Sequence, residues 1–239
     1  MRVNWGYIKM IILLGVVVFL FAFASKRNNI RPVSQPLITF KGENNLFITS
    51  ETVSKLLIQN YGSAKNMPKE TLALNTLEIA LKSNPMIKTA EVYVAVNGTL
   101  NAEIEQRTPI ARVRTNTSYY IDAEGFYMPL STNYTARVPL VTGFVEKNNL
   151  KSIYVVAKKI RQDEFLKKHV IEINQNKSKD IYLRLRQCSF LVQLGNTNHL
   201  QKKINNLKVF YQKSLKEKTL NTYSKVNLQF NNQVVCTKI

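Results

Sequence analysis

A chain of 239 residues with 45% hydrophobic and 10% aromatic content can bury real cores, which sets disorder aside, and its length suits one membrane segment plus one or two small domains. It carries 34 Lys and Arg against 15 Asp and Glu, a net charge of +19, which points to an anionic partner or an anionic membrane surface. The basic residues are dispersed, at most paired as in Lys158-Lys159, Lys167-Lys168 and Lys202-Lys203, and no nucleic-acid-binding motif accompanies them, so nucleic acid is not an expected partner.

Met10 to Ala24 is an unbroken run of 15 apolar or small residues, and counting from Tyr7 makes it 18 with Lys9 as its one charge. At about 1.5 Å per residue it reaches about 27 Å, against a hydrocarbon core of about 30 Å. Lys9 is close enough to the end to snorkel, and Trp5 and Tyr7 are placed as interfacial anchors. A cleaved signal peptide is the competing reading, from Arg2 and the small-x-small triplet Ala22-Phe23-Ala24. Arg2 and Lys9 on one side and Lys26, Arg27 and Arg31 on the other leave the charge rule undecided, but the short tail favours a cytoplasmic N-terminus with the remainder outside. The expected segments are a tail over 1–9, a transmembrane helix over 10–24 and a Pro/Asn-containing linker over 25–36.

Leu37 to Phe40 reads as a strand closed by Gly42. Thr49 or Ser50 is placed to cap a helix through Val53, Leu56 and Leu57, with Glu51 in its first turn and Tyr61-Gly62 at its end. Asn75-Thr76-Leu77-Glu78 has capping-box spacing and predicts a second helix with Leu77, Ala80 and Leu81 inward, stopped by Asn84-Pro85. From Glu91 the chain alternates, with Val92, Val94 and Val96 on one face. Asn97-Gly98 then turns it back through Leu100, Ala102 and Ile104.

Beyond Arg107 the chain is richer in strands. Ile110 to Val113, Tyr119 to Asp122, Phe126 to Leu130, Pro139 to Gly143, Val170 to Ile173, Ile181 to Leu185 and Phe190 to Leu194 read as strands, with Asp122-Ala123-Glu124-Gly125 as a turn. Ile153, Val156, Ala157 and Ile160 repeat at helical spacing. Leu200, Ile204, Leu207 and Tyr211 do the same, which points Lys202, Lys203 and Lys208 outward. Val226 to Phe230 and Val234 to Lys238 close the chain as a hairpin around Asn231-Asn232. The fold class expected is α+β: a transmembrane helix, a β-α-α-β-β module over 37–106, and a mixed β-sheet domain with flanking helices over 107–239.

Little of this sequence supports catalysis. His169 and His199 lie in different elements and read as surface residues. Cys188 and Cys236 are 48 apart, a spacing that fits no metal or redox motif and leaves open a disulfide or two buried thiols. Asp122 and Glu124 beside Gly125 tempt a carboxylate-pair reading, but an acidic turn residue accounts for them. Arg107 is expected at the domain junction, paired with a carboxylate such as Glu105. No cofactor and no metal is expected.

Phe47-Ile48-Thr49, Asn84-Pro85-Met86-Ile87-Lys88-Thr89-Ala90-Glu91-Val92, Gly98-Thr99-Leu100, Arg107-Thr108-Pro109-Ile110-Ala111, Tyr120-Ile121-Asp122-Ala123-Glu124-Gly125, Met128-Pro129-Leu130 and Val138-Pro139-Leu140-Val141-Thr142-Gly143 follow one another in an order that resembles the bacterial cell-division family FtsQ, called DivIB in other lineages. The resemblance runs almost end to end. It implies a POTRA domain over 37–106 and an FtsQ-type β-domain over 107–239. It also implies a non-enzymatic divisome scaffold, single-pass in the inner (cytoplasmic) membrane and placed at the division septum. The partners implied are the FtsB–FtsL pair, other division proteins through the POTRA domain, and membrane lipid; the process is control of septal peptidoglycan synthesis. In the family the β-domain binds partly by strand addition at its C-terminal edge. That makes Val234, Val235, Cys236, Thr237 and Lys238 a candidate docking strand, with Phe230 as apolar anchor. The other reading of these residues is a strand paired inside the sheet with Phe230 in the core. The family often has Asp and Arg where this chain has Asn227 and Gln229, which puts a charge-based contact there in doubt. The alternative function is an exported POTRA-containing chaperone or transport component, which predicts repeated POTRA copies or a barrel; the sequence has one copy and a helix-interrupted β-region.

Overall fold

The computed structural model describes residues 5–29, 36–42, 45–61, 74–115, 117–230 and 233–239. Residues 30–35 of the expected linker, Gly62 and the Asn231-Asn232 turn fall outside the described residues, and residues 25–29, expected as linker, are helical. The chain divides into two compact units, Met1–Gln106 and Arg107–Ile239. The first begins with helix α1 (Trp5–Asn29), whose 22-residue stretch Trp5–Lys26 contains an 18-residue window of mean hydropathy 2.6 and is long and apolar enough to cross a membrane. From Met10 to Ala24 its side chains are exposed and apolar on every side, as suits a lipid surround rather than a protein core.

The rest of the first unit is a three-stranded sheet with two helices. Strands β1 (Leu37–Lys41), β2 (Ile87–Val94) and β3 (Leu100–Gln106) lie in the order β1-β3-β2, with β1 parallel and β2 antiparallel to β3. Helix α2 (Ser50–Tyr61) starts where the Thr49 hydroxyl accepts the Thr52 N–H at 3.3 Å, and it buries Val53 and Leu57, four residues apart. Helix α3 (Leu74–Lys82) already includes Asn75, so the expected capping box does not form. Glu78 instead accepts the Val92 N–H at 2.9 Å, because β2 is an edge strand whose outward N–H needs an acceptor. Leu77 and Leu81 join Ile87, Ala90, Val92, Leu100, Ala102 and Ile104 in one core. The predicted alternation fails only at Val96, which is 84% exposed because β2 ends at Val94 and the Ala95–Thr99 turn follows. Buried Gln106 fastens a loop to the sheet: its Oε1 accepts the Phe47 and Ile48 N–H groups at 2.9 and 3.2 Å, and its Nε2 donates to Ile48 O at 2.9 Å.

The second unit is a nine-stranded mixed sheet. Its strands are β4 (Pro109–Arg114), β5 (Ser118–Asp122), β6 (Tyr127–Met128), β7 (Leu140–Gly143), β8 (Val170–Gln175), β9 (Ile181–Leu185), β10 (Leu191–Gly195), β11 (Tyr223–Asn227) and β12 (Val235–Lys238), in the order β12-β11-β10-β9-β8-β7-β4-β5-β6. Helices α4 (Lys151–Gln162), α5 (Glu164–His169) and α6 (Leu200–Lys216) supply Ile153, Val156, Ala157, Ile160, Leu166, Ile204 and Leu207 to one core with the strand residues Val113, Val141, Ile173, Leu183, Val192 and Val226. Gly143 closes β7 at φ +90°, and a Cβ there would collide with Gln175 O, so only glycine fits.

Several expectations need correction here. β6 has two residues rather than five: Pro129 cannot donate to a ladder, and the Phe126 N–H is held by the Asp122 carboxylate at 2.7 Å. α5 was not foreseen; Asp163 caps it by accepting the Leu166 N–H at 3.2 Å. β11 ends three residues earlier than expected, because the Asn227 side chain accepts the Gln229 N–H at 2.9 Å and turns the chain. Lys203 does not point outward. It is 7% exposed and its ammonium donates to Leu194 O, Asn196 O and Asn196 Oδ1 at 3.0, 2.8 and 3.1 Å, with burial lowering its pKa. Lys208 is half-buried, bonded to Asp163 at 2.6 Å. Arg107 pairs at 2.7 Å with Asp122, whereas Glu105 pairs with Lys88 at 2.8 Å.

Candidate functional site

The candidate site is built on β12, the last strand in the order of the nine-stranded sheet. One side of β12 is bonded antiparallel to β11, with Val226 opposite Cys236, Lys225 opposite Thr237 and Asn227 opposite Val235. Its other backbone edge faces no strand among the described residues. Unpaired N–H and C=O groups in such a row are a template for another chain. Cys236 shares the helix face with Val226 and, with Val234, packs partly against the core. Val235, 41% exposed, and Thr237 turn to the opposite face, and Lys238 is exposed. Phe230 is outside β11 and 46% exposed, so it is not a core residue.

On the face away from the helices, two rows of side chains lead inward from β12. One runs Val235, Asn227, Gln193, Tyr182, Asn174, Thr142; the other runs Thr237, Lys225, Leu191, Arg184, Glu172, Leu140. Glu172 links three strands, accepting from the Thr142 hydroxyl at 2.6 Å and pairing with Arg184 at 3.2 Å, while Asn174 donates to Thr142 at 2.8 Å. Beside this ladder Glu172, Asn174, Arg184 and Leu191 line a cavity of about 220 Å³. These row residues were missed in the sequence, although the polar positions of each strand's alternation carry the signal.

The sequence that builds this sheet and its helices matches a known family. A family model described as FtsQ/DivIB, C-terminal related, matches residues 108–237, more than half of the chain. The chain belongs to the FtsQ/DivIB family. A POTRA-like domain model matches residues 38–105. Cell division protein FtsQ of Geotalea daltonii is 23% identical over 180 residues, a match that covers 70% of this chain and 64% of that protein, under two thirds of its length. The family role is in cell division, as a scaffold rather than a catalyst, and α1 is consistent with a single-pass membrane anchor.

The remaining singled-out residues of this FtsQ/DivIB protein have structural tasks. Asp122 is fully buried, and its Oδ1 accepts the Glu124 and Phe126 N–H groups at 3.0 and 2.7 Å while Oδ2 takes Arg107, so the turn reading holds. His169 is not a surface residue as expected. Its ring packs 4.7 Å from Phe165 and 4.9 Å from Tyr211, whose hydroxyl is 3.4 Å from Nδ1; burial, then Lys168 and Arg186, lower its pKa. His199 is exposed at the start of α6. Cys188 and Cys236 are unpaired, partly buried thiols whose pKa values burial raises, which makes them poor nucleophiles. Among the described residues no group of three or more His, Cys, Asp or Glu is placed to hold a metal.

Proposed function

We propose that this chain is a non-enzymatic, membrane-anchored divisome scaffold that receives FtsB- and FtsL-like partners at the open edge of β12 and through them helps regulate septal peptidoglycan synthesis. The observation that carries the reading is the place of β12 at the end of the nine-stranded sheet, with Val235, Thr237 and Lys238 exposed along it. A partner strand laid beside β12 satisfies its backbone groups, and exposed Phe230 offers an apolar anchor. α1 would hold the chain in the inner membrane, N-terminus inside and both folded units outside, at the septum.

The test is co-purification of the membrane-embedded chain with small bitopic division proteins, comparing the full chain with one ending at Asn231. The full chain is expected to retain partners that the shortened one loses. Phe230→Ala, which leaves β12 in place, is expected to weaken binding by about 1–2 kcal/mol. Undiminished capture by both variants moves the interface elsewhere, and capture of no such partner by the full chain ends the divisome-scaffold reading.

A further inference from the structure

The positive charge of this chain is unevenly placed. Residues 37–106 hold 6 Lys and 7 Glu, whereas residues 107–239 hold 23 Lys and Arg against 8 Asp and Glu, +15 of the chain's +19. The helices α4, α5 and α6 account for 11 of those 23 and contain one carboxylate, Glu164. Lys203 and Lys208 are engaged inward. Lys151, Lys158, Arg161, Lys167, Lys213 and Lys216 are exposed on the side of the helices away from the sheet.

Helix dipoles explain part of this pattern, since cations stand in the last turns of all three helices. They do not explain Lys151, which stands in the first turn of α4, where the dipole disfavours a cation. Nor do they explain the valines. Val155, 37% exposed, lies between Lys151 and Lys158 on the outward stripe of α4. Val209, 66% exposed, lies on the outward stripe of α6, four residues from Lys213 and seven from Lys216. Apolar residues at the crest of a basic helical face are the composition of an interfacial surface, where aliphatic groups enter the headgroup layer and cations reach phosphates.

We propose that the α4–α5–α6 face of the β-domain lies against an anionic phospholipid surface, with Val155 and Val209 toward the headgroup layer and the surrounding cations on its phosphates. The occupant is named by charge complementarity and by the tether, because α1 belongs to the same chain and a tethered domain meets its own membrane at high effective concentration. Contact on this face leaves the other face of the sheet uncovered, so the inference stands apart from strand docking at β12.

The experiment embeds the full chain in nanodiscs of phosphatidylcholine, with or without phosphatidylglycerol, and measures acetylation of each lysine amine by mass spectrometry. Lys158, Lys213 and Lys216 are expected to react roughly five-fold more slowly with phosphatidylglycerol. Lys225, on the opposite face of the sheet, is expected to keep its rate, and high salt is expected to remove the difference. In a K158Q, K213Q, K216Q variant the reporters Lys151 and Lys167 are expected to return to their neutral-lipid rates. Equal rates in the two lipids, equal slowing at Lys225, or protection that survives in the variant overturns the proposal. Slowing that needs an added division partner assigns the face to an acidic protein instead.

Discussion

The POTRA-like unit and the β-domain use charge in opposite ways. On the POTRA-like sheet Lys41 bonds Glu103 at 2.6 Å and Glu91 at 3.2 Å, Tyr93 donates to Glu103 at 2.9 Å, and Lys88 pairs with Glu105. Each charge has a neighbour on the same exposed face, and the region is close to neutral. In the β-domain the best-formed ion pairs are partly or fully buried at chain turns, Arg107–Asp122 and Lys208–Asp163, while most remaining cations face outward. Paired surface charge is inexpensive decoration, buried charge fixes geometry, and unbalanced surface charge is available to a partner.

The sharpest way to break this contrast is Asp122→Ala, which strands Arg107 and removes the acceptor of two turn N–H groups. A loss of about 3–5 kcal/mol is expected in the β-domain unfolding transition, read by urea titration of the detergent-solubilised chain, with the POTRA-like transition unmoved. A common shift of both transitions would show that the two units do not unfold independently. Gln106→Ala tests the neutral route to the same end. Leaving the Phe47 and Ile48 N–H groups without their acceptor is expected to cost the POTRA-like unit about 2 kcal/mol, with faster hydrogen exchange at those two amides.

Asp163 ties the contrast to pH. Burial pushes its carboxyl pKa up, but the Lys208 ammonium and the Leu166 N–H outweigh burial, and the folded value lies below the ordinary 3.8. Its contribution is therefore fully present above about pH 4 and is lost as pH falls through the folded value. Asp163→Asn is expected to cost about 1 kcal/mol at neutral pH and to flatten that acid limb in pH-dependent unfolding. The smallest effect belongs to Lys41→Gln, an exposed network member whose loss is expected to stay within experimental scatter at physiological salt. A large effect there would mean that the POTRA-like face is not merely a solvated network.

The legible parts of the sequence were those where one local rule governed. Spacing placed Ile153, Val156, Ala157 and Ile160 on the buried side of α4, and alternation placed Leu100, Ala102 and Ile104 in the core. The last strand was visible as well, since β12 closely matches the run expected over Val234 to Lys238. What escaped were side chains recruited by distant backbone. Glu78 was claimed by Val92, and Lys203 by Leu194 and Asn196. The rows leading from β12 also required the strand order, because residues from 140 to 237 meet there only once β7 to β12 are aligned.

That strand order has a consequence for cooperativity. β4 to β6 are neighbours in sequence as well as in space, and so are β8 to β12 apart from the α6 crossover. Between them lies β7, four residues long, running parallel to β4 on one side and to β8 on the other. Strand β7 is thus a seam through an otherwise continuous sheet. Fluctuations that unzip it separate two blocks without breaking the pairing inside either, so the blocks are expected to appear as distinct exchange units in native-state hydrogen–deuterium experiments. Any mechanical message passing from β12 to the β4–β6 block through the sheet crosses those four residues.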